Sequence, residues 1–311
     1  MTAAPVGGRP DGARSGSIYD LGYRGYEGPR LGRRAAIWSL LSHSVRTAYG
    51  IGRSARSKIM PVGLTAFAVL PSLLALGILA LIAQLGPAGE AMDAISPVQY
   101  STLFPFVAVL VFLFCASQAP ELFGRDQRSG VLPLYFSRAI SRLDYVTART
   151  LGLFVSLLII VLAPQLLLMA GRILVAPQLA DGLAAELPDL PVAVAVGLII
   201  AAVVGTISAA IAALTPRRAY ATVAIIAIFL VPNIAASMLV GFDAGLVAQV
   251  SVLLSPADVL DGVNAALFGT RPDNIVVARA DIPDEMFLVA AGAWIVGSVV
   301  VLVRRYQGIA A

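Results

Sequence analysis

Charge is scarce in this 311-residue chain. Charged residues make up 13% of it against 59% hydrophobic ones, and the mean hydropathy is +0.87. A soluble domain carries about 25% charged residues, so this chain has too few to cover a water-facing surface of its size. That excludes a soluble globular enzyme and a disordered protein, and leaves a polytopic membrane protein. A single cysteine, Cys115, and a single histidine, His43, exclude an intrachain disulfide and a Cys/His zinc site. Lysine also occurs once, at Lys58, and Ile59 follows it. A Walker A loop needs glycines leading into Lys-Ser or Lys-Thr to cradle phosphates, so ATP hydrolysis by that route is not a property of this chain. The Gly/Arg-rich beginning lacks the apolar stretch of a secretory signal peptide.

What is present is a series of long apolar runs. They predict six spans, at about 60–85, 100–120, 146–171, 191–215, 218–241 and 286–304. Each can cover a hydrocarbon core of ~30 Å, which takes about 20 helical residues. Tyr49, Tyr100, Tyr145, Tyr220 and Tyr306 fall near the expected membrane edges, where interfacial aromatics concentrate. Residues 1–60, 119–149, 217–218 and 304–305 together carry a net charge of +13, and the remaining connections carry −9. Arginine excess marks the cytoplasmic side, so both termini are expected inside and the number of spans even.

The expected spans hold no Asp, Glu, Lys or Arg at mid-depth, and their polar residues are mild: Ser117, Gln118, Ser156, Gln165, Thr206, Ser208, Asn233 and Ser237. A proton- or cation-coupled transporter usually needs an ionisable group there, and an intramembrane enzyme needs an acid/base pair or metal ligands. The chain is therefore expected not to be an enzyme, and any energy source lies elsewhere. Nucleic-acid binding is disfavoured too, because membrane topology already accounts for where the arginines lie.

Around the spans, residues 1–33 read as a flexible cytoplasmic tail, in which Tyr19, Tyr23 and Tyr26 are either solvated or partner-binding. Within 34–58, Ile37, Trp38, Leu41, Val45, Ala48 and Tyr49 recur at helical spacing, while Arg34, His43, Arg46 and Arg53 lie largely off that stripe. This predicts an amphipathic helix in the headgroup plane, ended by Gly50 and Gly52. Residues 59–306 form the six-helix domain. The apolar stretch 245–254 is too short to span, and Ser255–Pro256 breaks it. Val259, Leu260, Val263 and Leu267 then make a second short stripe. Together they predict a helical hairpin, re-entrant or lying on the outer leaflet; a soluble external domain is the alternative. In the fourth span Ala201, Gly205, Ala209 and Ala213 form a small-residue stripe that permits close packing, within the chain or across a dimer.

The 119–149 connection is longer and less polar than a simple linker. It mixes charges (Glu121, Arg125, Asp126, Arg128) with Val131, Leu132, Leu134, Tyr135 and Phe136, turns at Gly130 and Pro133, and returns to charge at Arg138 and Arg142. A charged rim around an apolar centre suits docking on a protein partner; a helix that merely caps the bundle is the alternative.

Pro120–Glu121, Arg125-Asp126-Gln127-Arg128-Ser129-Gly130 and Leu132-Pro133-Leu134-Tyr135-Phe136-Ser137-Arg138 resemble the corresponding segment of ABC-2 type transporter permeases. The tail from Tyr19 to Arg30 is similar to the start of actinobacterial members, and the order of elements matches over most of the chain. The resemblance implies an all-α integral membrane fold: six spans, an N-terminal interfacial (connecting) helix, a cytoplasmic coupling helix and an extracytoplasmic hairpin before the last span. It implies that Arg125, Asp126, Arg128 and Gly130 make up the charged end of the coupling segment, with Leu132 and Tyr135 as its apolar contact and Arg138 beyond them, and that Glu121 takes the place of the acidic residue such permeases often carry below the second span. Ile37, Trp38, Leu41, Val45 and Arg46 would belong to the connecting helix. Two ATPase subunits would hold ATP and Mg, this chain holding no cofactor, and a second permease, identical or a related paralogue, would complete the pathway in the inner membrane of a bacterium. The cargo expected from the uncharged lining is amphipathic or hydrophobic: a drug, a peptide or a lipid-like molecule. The alternative is a passive channel, scaffold or sensor without an ATPase.

Overall fold

A computed structural model of the chain describes residues 28, 31–84, 99–137 and 140–308. Tyr19, Tyr23, Tyr26 and Arg138 lie outside the described residues. Those described form helices and turns, with no strand among them. α1 runs over Gly32–Ala48 and α2 over Ala55–Ala83. α3, Leu103–Ala119, continues through a π-helical turn, Pro120–Gly124, into α4, Arg125–Arg128. The short α5, Leu132–Phe136, leads to α6, Arg142–Val175. α7, Leu179–Glu186, precedes α8, Leu190–Leu214, and α9 is Arg218–Gly241. α10, Leu246–Leu253, and α11, Pro256–Phe268, meet at 90°. α12, Ile275–Arg279, and α13, Asp284–Gln307, complete the chain.

Six of these helical stretches among the described residues are long and apolar enough to cross a membrane. They contain α2, α3, α6, α8, α9 and α13. α6 has 34 residues, which at 1.5 Å per residue is about 51 Å and exceeds the hydrocarbon thickness. It starts at Arg142, ahead of the apolar run, because Ser141 and Asp144 form a reciprocal capping box: the Asp144 N–H donates to Ser141 Oγ at 3.2 Å and the Ser141 N–H to Asp144 Oδ2 at 2.9 Å.

Burial orders the bundle. Over their most apolar stretches the second and fourth spans are 61% and 56% buried and the third 44%, whereas the first, fifth and sixth are 22%. The second to fourth therefore form the centre. Exposed Phe67 and Leu74 on α2, Val223 and Met238 on α9, and Val289 and Val296 on α13 face outward, as residues solvated by lipid do. The small-residue stripe of α8 is inside: Ala201, Ala209 and Ala213 are fully buried, and a Cβ added to Gly205 would stand 3.2 Å from Leu157 of α6. Its close packing serves this chain's own core, not a dimer face.

Helix α11 departs from a leaflet-bound stripe. Asp258, Val259, Leu260, Asp261, Val263 and Asn264 are all buried, so it is enclosed on most of its circumference. Phe287 of α13 packs against Gly262 so closely that a Cβ there would meet its ring at 2.3 Å. Asn264 Nδ2 donates to the Ser101 carbonyl at 2.9 Å, and the Tyr100 ring stacks on Phe268 at 6.4 Å. The hairpin is thereby fastened to the end of the bundle where α3 begins.

Candidate functional site

At the opposite end, the 120–137 segment is locked to the bundle by two carboxylates. Glu121 sits in the π-helical turn and draws three arginines from separate parts of the chain. Arg53 donates to it at 2.9 Å from the turn between α1 and α2, Arg125 stands at 3.6 Å, and Arg218 at the start of α9 at 3.9 Å. One turn further on, Asp126 points inward. It accepts the Tyr145 hydroxyl at 2.8 Å and pairs with Arg149 of α6, whose side chain is buried. Arg149 also donates to Ser44 Oγ of α1 at 3.3 Å and lies 5.4 Å over the Tyr145 ring. Buried charges of this kind persist only when paired and hydrogen-bonded.

Neighbouring contacts extend the lock. Gln127 Nε2 donates to the Ala213 carbonyl at 3.2 Å and to the Tyr306 hydroxyl at 3.3 Å, joining α4 to α8 and α13. Tyr145 lies between Tyr135 and Tyr306, with ring centroids at 5.4 and 5.6 Å. Gly130 closes α4 in the left-handed region, φ +62°, and the Val131 N–H reaches back to the Asp126 carbonyl at 3.3 Å. That backward bond is the usual glycine-terminated helix end.

α1 packs on α6 through a face of Leu40 and three small or hydroxyl-bearing residues, Ser44, Thr47 and Ala48, all buried. Ile37, Leu41 and Val45 flank that face half-buried, while Trp38 (69% exposed) and Arg46 point away. Tyr49 donates to the Ser156 carbonyl at 2.9 Å, and Arg33 grips Asp144 with two bonds of 2.8 Å. The helix ends where Gly50, φ +65°, passes so close to the start of α2 that a Cβ would stand 2.8 Å from the Ser57 carbonyl oxygen.

The candidate residues of the segment therefore divide. Glu121 and Asp126 are turned toward the bundle, and Leu132 is buried in it, so these three anchor the segment. Tyr135 is half-buried against Tyr145. Arg125, Arg128 and Gly130 are exposed, Arg128 donating to the Pro216 carbonyl at 3.0 Å. The apolar residue facing outward is Leu134, 66% exposed, in place of Leu132, because α5 is a single turn that can bury only one side. Arg149 is the network member that sequence patterns do not single out, since it enters there only as one arginine in the charge balance of 119–149; Tyr145 and Tyr306 are legible there only as aromatics at the membrane edges.

Among the described residues no group of three His, Cys, Asp or Glu side chains stands close enough to hold a metal ion. The segment presents Arg125, Arg128 and Leu134 outward on a base pinned to α1, α6, α8, α9 and α13.

These features define a polytopic, all-helical membrane protein with six apolar, membrane-spanning helices. Compared with models of known protein families and with curated proteins, the chain matches none.

Proposed function

We propose that the chain is the membrane-spanning permease subunit of an ATP-driven exporter of the ABC-2 type, with ATP hydrolysis on a separate subunit. The observation that carries this reading is the division within the 120–137 segment: an anchored base and an exposed face of Arg125, Arg128 and Leu134. In this reading the exposed face is the coupling surface, with a charged rim and an apolar contact for a cleft on the ATPase. α1 is the connecting helix, both termini are cytoplasmic, and the protein sits in the inner membrane of a bacterium. Two copies, or this chain and a paralogue, pair with two ATPases that hold ATP and Mg.

Force transmission follows from the anchors. The segment continues α3 through the π-helical turn and is tied to α6 by Asp126 and to α13 by Gln127. A push on Arg125 and Arg128 therefore reaches the second, third and sixth spans together instead of bending a loop. The apolar, uncharged spans favour an amphipathic or hydrophobic cargo.

The test is co-expression with an ATPase encoded in a neighbouring gene. The wild-type chain is expected to co-purify with that ATPase. A Leu134→Glu variant, changed at an exposed position whose side chain makes no ion pair, should lose the partner while keeping its own thermal stability. Absence of any complex, with or without nucleotide, would reject the exporter reading in favour of a passive channel or scaffold.

A further inference from the structure

Away from the termini, a cavity of about 510 Å³ opens between the first half of α3, the middle of α9 and helix α11. That volume falls in the range of small-molecule sites, about 300–1,000 Å³. Its wall is hydrocarbon and aromatic: Phe104 and Phe112 of α3 face Phe229 of α9, the last two stacked at 4.3 Å. Its floor is acidic. Asp258 and Asp261, one helical turn apart on α11, line it with Asp273 and two asparagines, and no basic residue is among those lining it.

Asp258 is fully buried, and its two oxygens differ. Oδ1 accepts Asn233 Nδ2 at 2.7 Å and Asn274 Nδ2 at 2.9 Å. Oδ2 has no hydrogen-bond partner. Beside it Asp261 accepts only a long bond, 3.3 Å, from the Asn274 N–H. A buried carboxylate with a bare oxygen is costly, and the missing complement is a donor that carries positive charge. The cavity is too large and too apolar for a bare ion, and no three-ligand metal cluster occurs among the described residues. An ammonium on an apolar body fits both parts.

We propose that this cavity binds an amphipathic organic ammonium, whose N–H groups donate to the carboxylate pair Asp258 and Asp261 and whose apolar body lies along Phe104, Phe112 and Phe229. The rings add cation–π attraction for the charged end. Two sources carry this chemistry, a free amphipathic amine and the ethanolamine headgroup of a lipid. Binding here stands apart from the ATPase partnership, since it needs only the permease.

The probe is dansylcadaverine, a fluorescent primary amine, with its N-acetyl derivative as neutral control. Both are titrated onto the full chain in phosphatidylglycerol nanodiscs. The amine is expected to bind saturably and about ten-fold or more tighter than the acetylated form, the worth of one charged hydrogen bond. Asp258→Asn and Asp261→Asn should each erase most of that preference. Should the carboxylate variants misfold, Val109→Trp obstructs the cavity from its exposed side, leaves the acidic floor intact, and should block both probes. Nanodiscs containing phosphatidylethanolamine then separate the sources. Competition by that lipid identifies a headgroup site, and unchanged affinity identifies a free amine. Equal binding of amine and acetylated probe, or full binding by all three variants, would overturn the proposal.

Discussion

Glu121 and Arg53 meet at 2.9 Å, joining the π-helical turn after the second span to the turn that precedes the first. The same carboxylate faces Arg125 and Arg218. Removing it leaves three guanidinium groups clustered without a counter-charge. Glu121→Gln is therefore expected to destabilise the folded chain by about 1.5–3 kcal/mol, the worth of hydrogen bonds to a charged group. Arg53→Ala should cost less, because two arginines remain. Thermal unfolding in detergent reads both, and the gap between the variants should narrow in high salt.

Asp126 and Arg149 form the more buried pair. Asp126→Asn keeps an acceptor for Tyr145 but leaves Arg149 enclosed with its charge uncompensated. The expected loss is on the order of 3–5 kcal/mol. Replacing both partners together, Asp126→Leu with Arg149→Met, should be milder than either single change, since no buried charge is then orphaned. A double variant as damaged as the sum of the singles would show that the pair is not the source of the stability. The exporter reading adds that the stable double variant should transport poorly, having lost the tie between α4 and α6.

The parts legible in the sequence are those set by one-dimensional constraints. A hydrocarbon slab demands runs of about 20 apolar residues, so the spans stand out wherever Asp and Arg drop away. The ends are less legible because a helix does not stop at the bilayer edge: α6 is started by Ser141 and Asp144, not by its first apolar residue. Helix faces proved harder still. Trp38 and Leu41 share a stripe in the sequence, yet the face of α1 that meets α6 is chosen by Gly152, which only small residues can approach. Asp258 and Asp261 follow Ser255–Pro256, in the first turns of α11, where the apolar stripe of Val259, Leu260, Val263 and Leu267 says nothing about them. Their burial is decided by Asn233 and Phe287, distant in sequence. The 258/261 spacing itself was the available signal, one helical turn between two carboxylates in an otherwise apolar stretch.

The seating of α1 can be tested at Gly152. A Cβ there would lie 2.4 Å from Ser44 Cβ and 3.3 Å from the Leu41 carbonyl oxygen. Gly152→Ala must push the helix away, with an expected cost of about 1–3 kcal/mol for overpacking. Ser44→Gly removes the nearer obstacle and should recover part of that loss in the double variant, even though it also removes the acceptor of the Arg149 bond and glycine inside a helix is itself unfavourable by about 1 kcal/mol. A cycle of the two single variants and the double one measures the coupling. Additive effects would mean that α1 is not held by this contact.

Asp261 makes stability depend on pH with a definite sign. Burial raises its pKa from 3.8 to about 6, with Asp273 and Asp258 raising it further and the Asn274 N–H opposing them. Burial raises Asp258 as well, against the hydrogen bonds from Asn233 and Asn274. A carboxyl whose folded pKa lies above its unfolded value favours the folded chain while it is protonated. Its contribution is full below about pH 4, declines as pH rises through about 6, and is gone above that. Other carboxylates titrate in the same window, so the informative quantity is the difference between wild type and Asp261→Asn. In that difference the wild type's unfolding temperature should fall relative to the variant between about pH 4 and pH 7 and then stay level. Binding of the ammonium probe should run the other way, since it requires the ionised carboxylate, and should strengthen across the same interval. A wild-type stability that rises relative to Asp261→Asn over this range would show that Asp261 is ionised throughout, and the enclosure of α11 would have to be wrong.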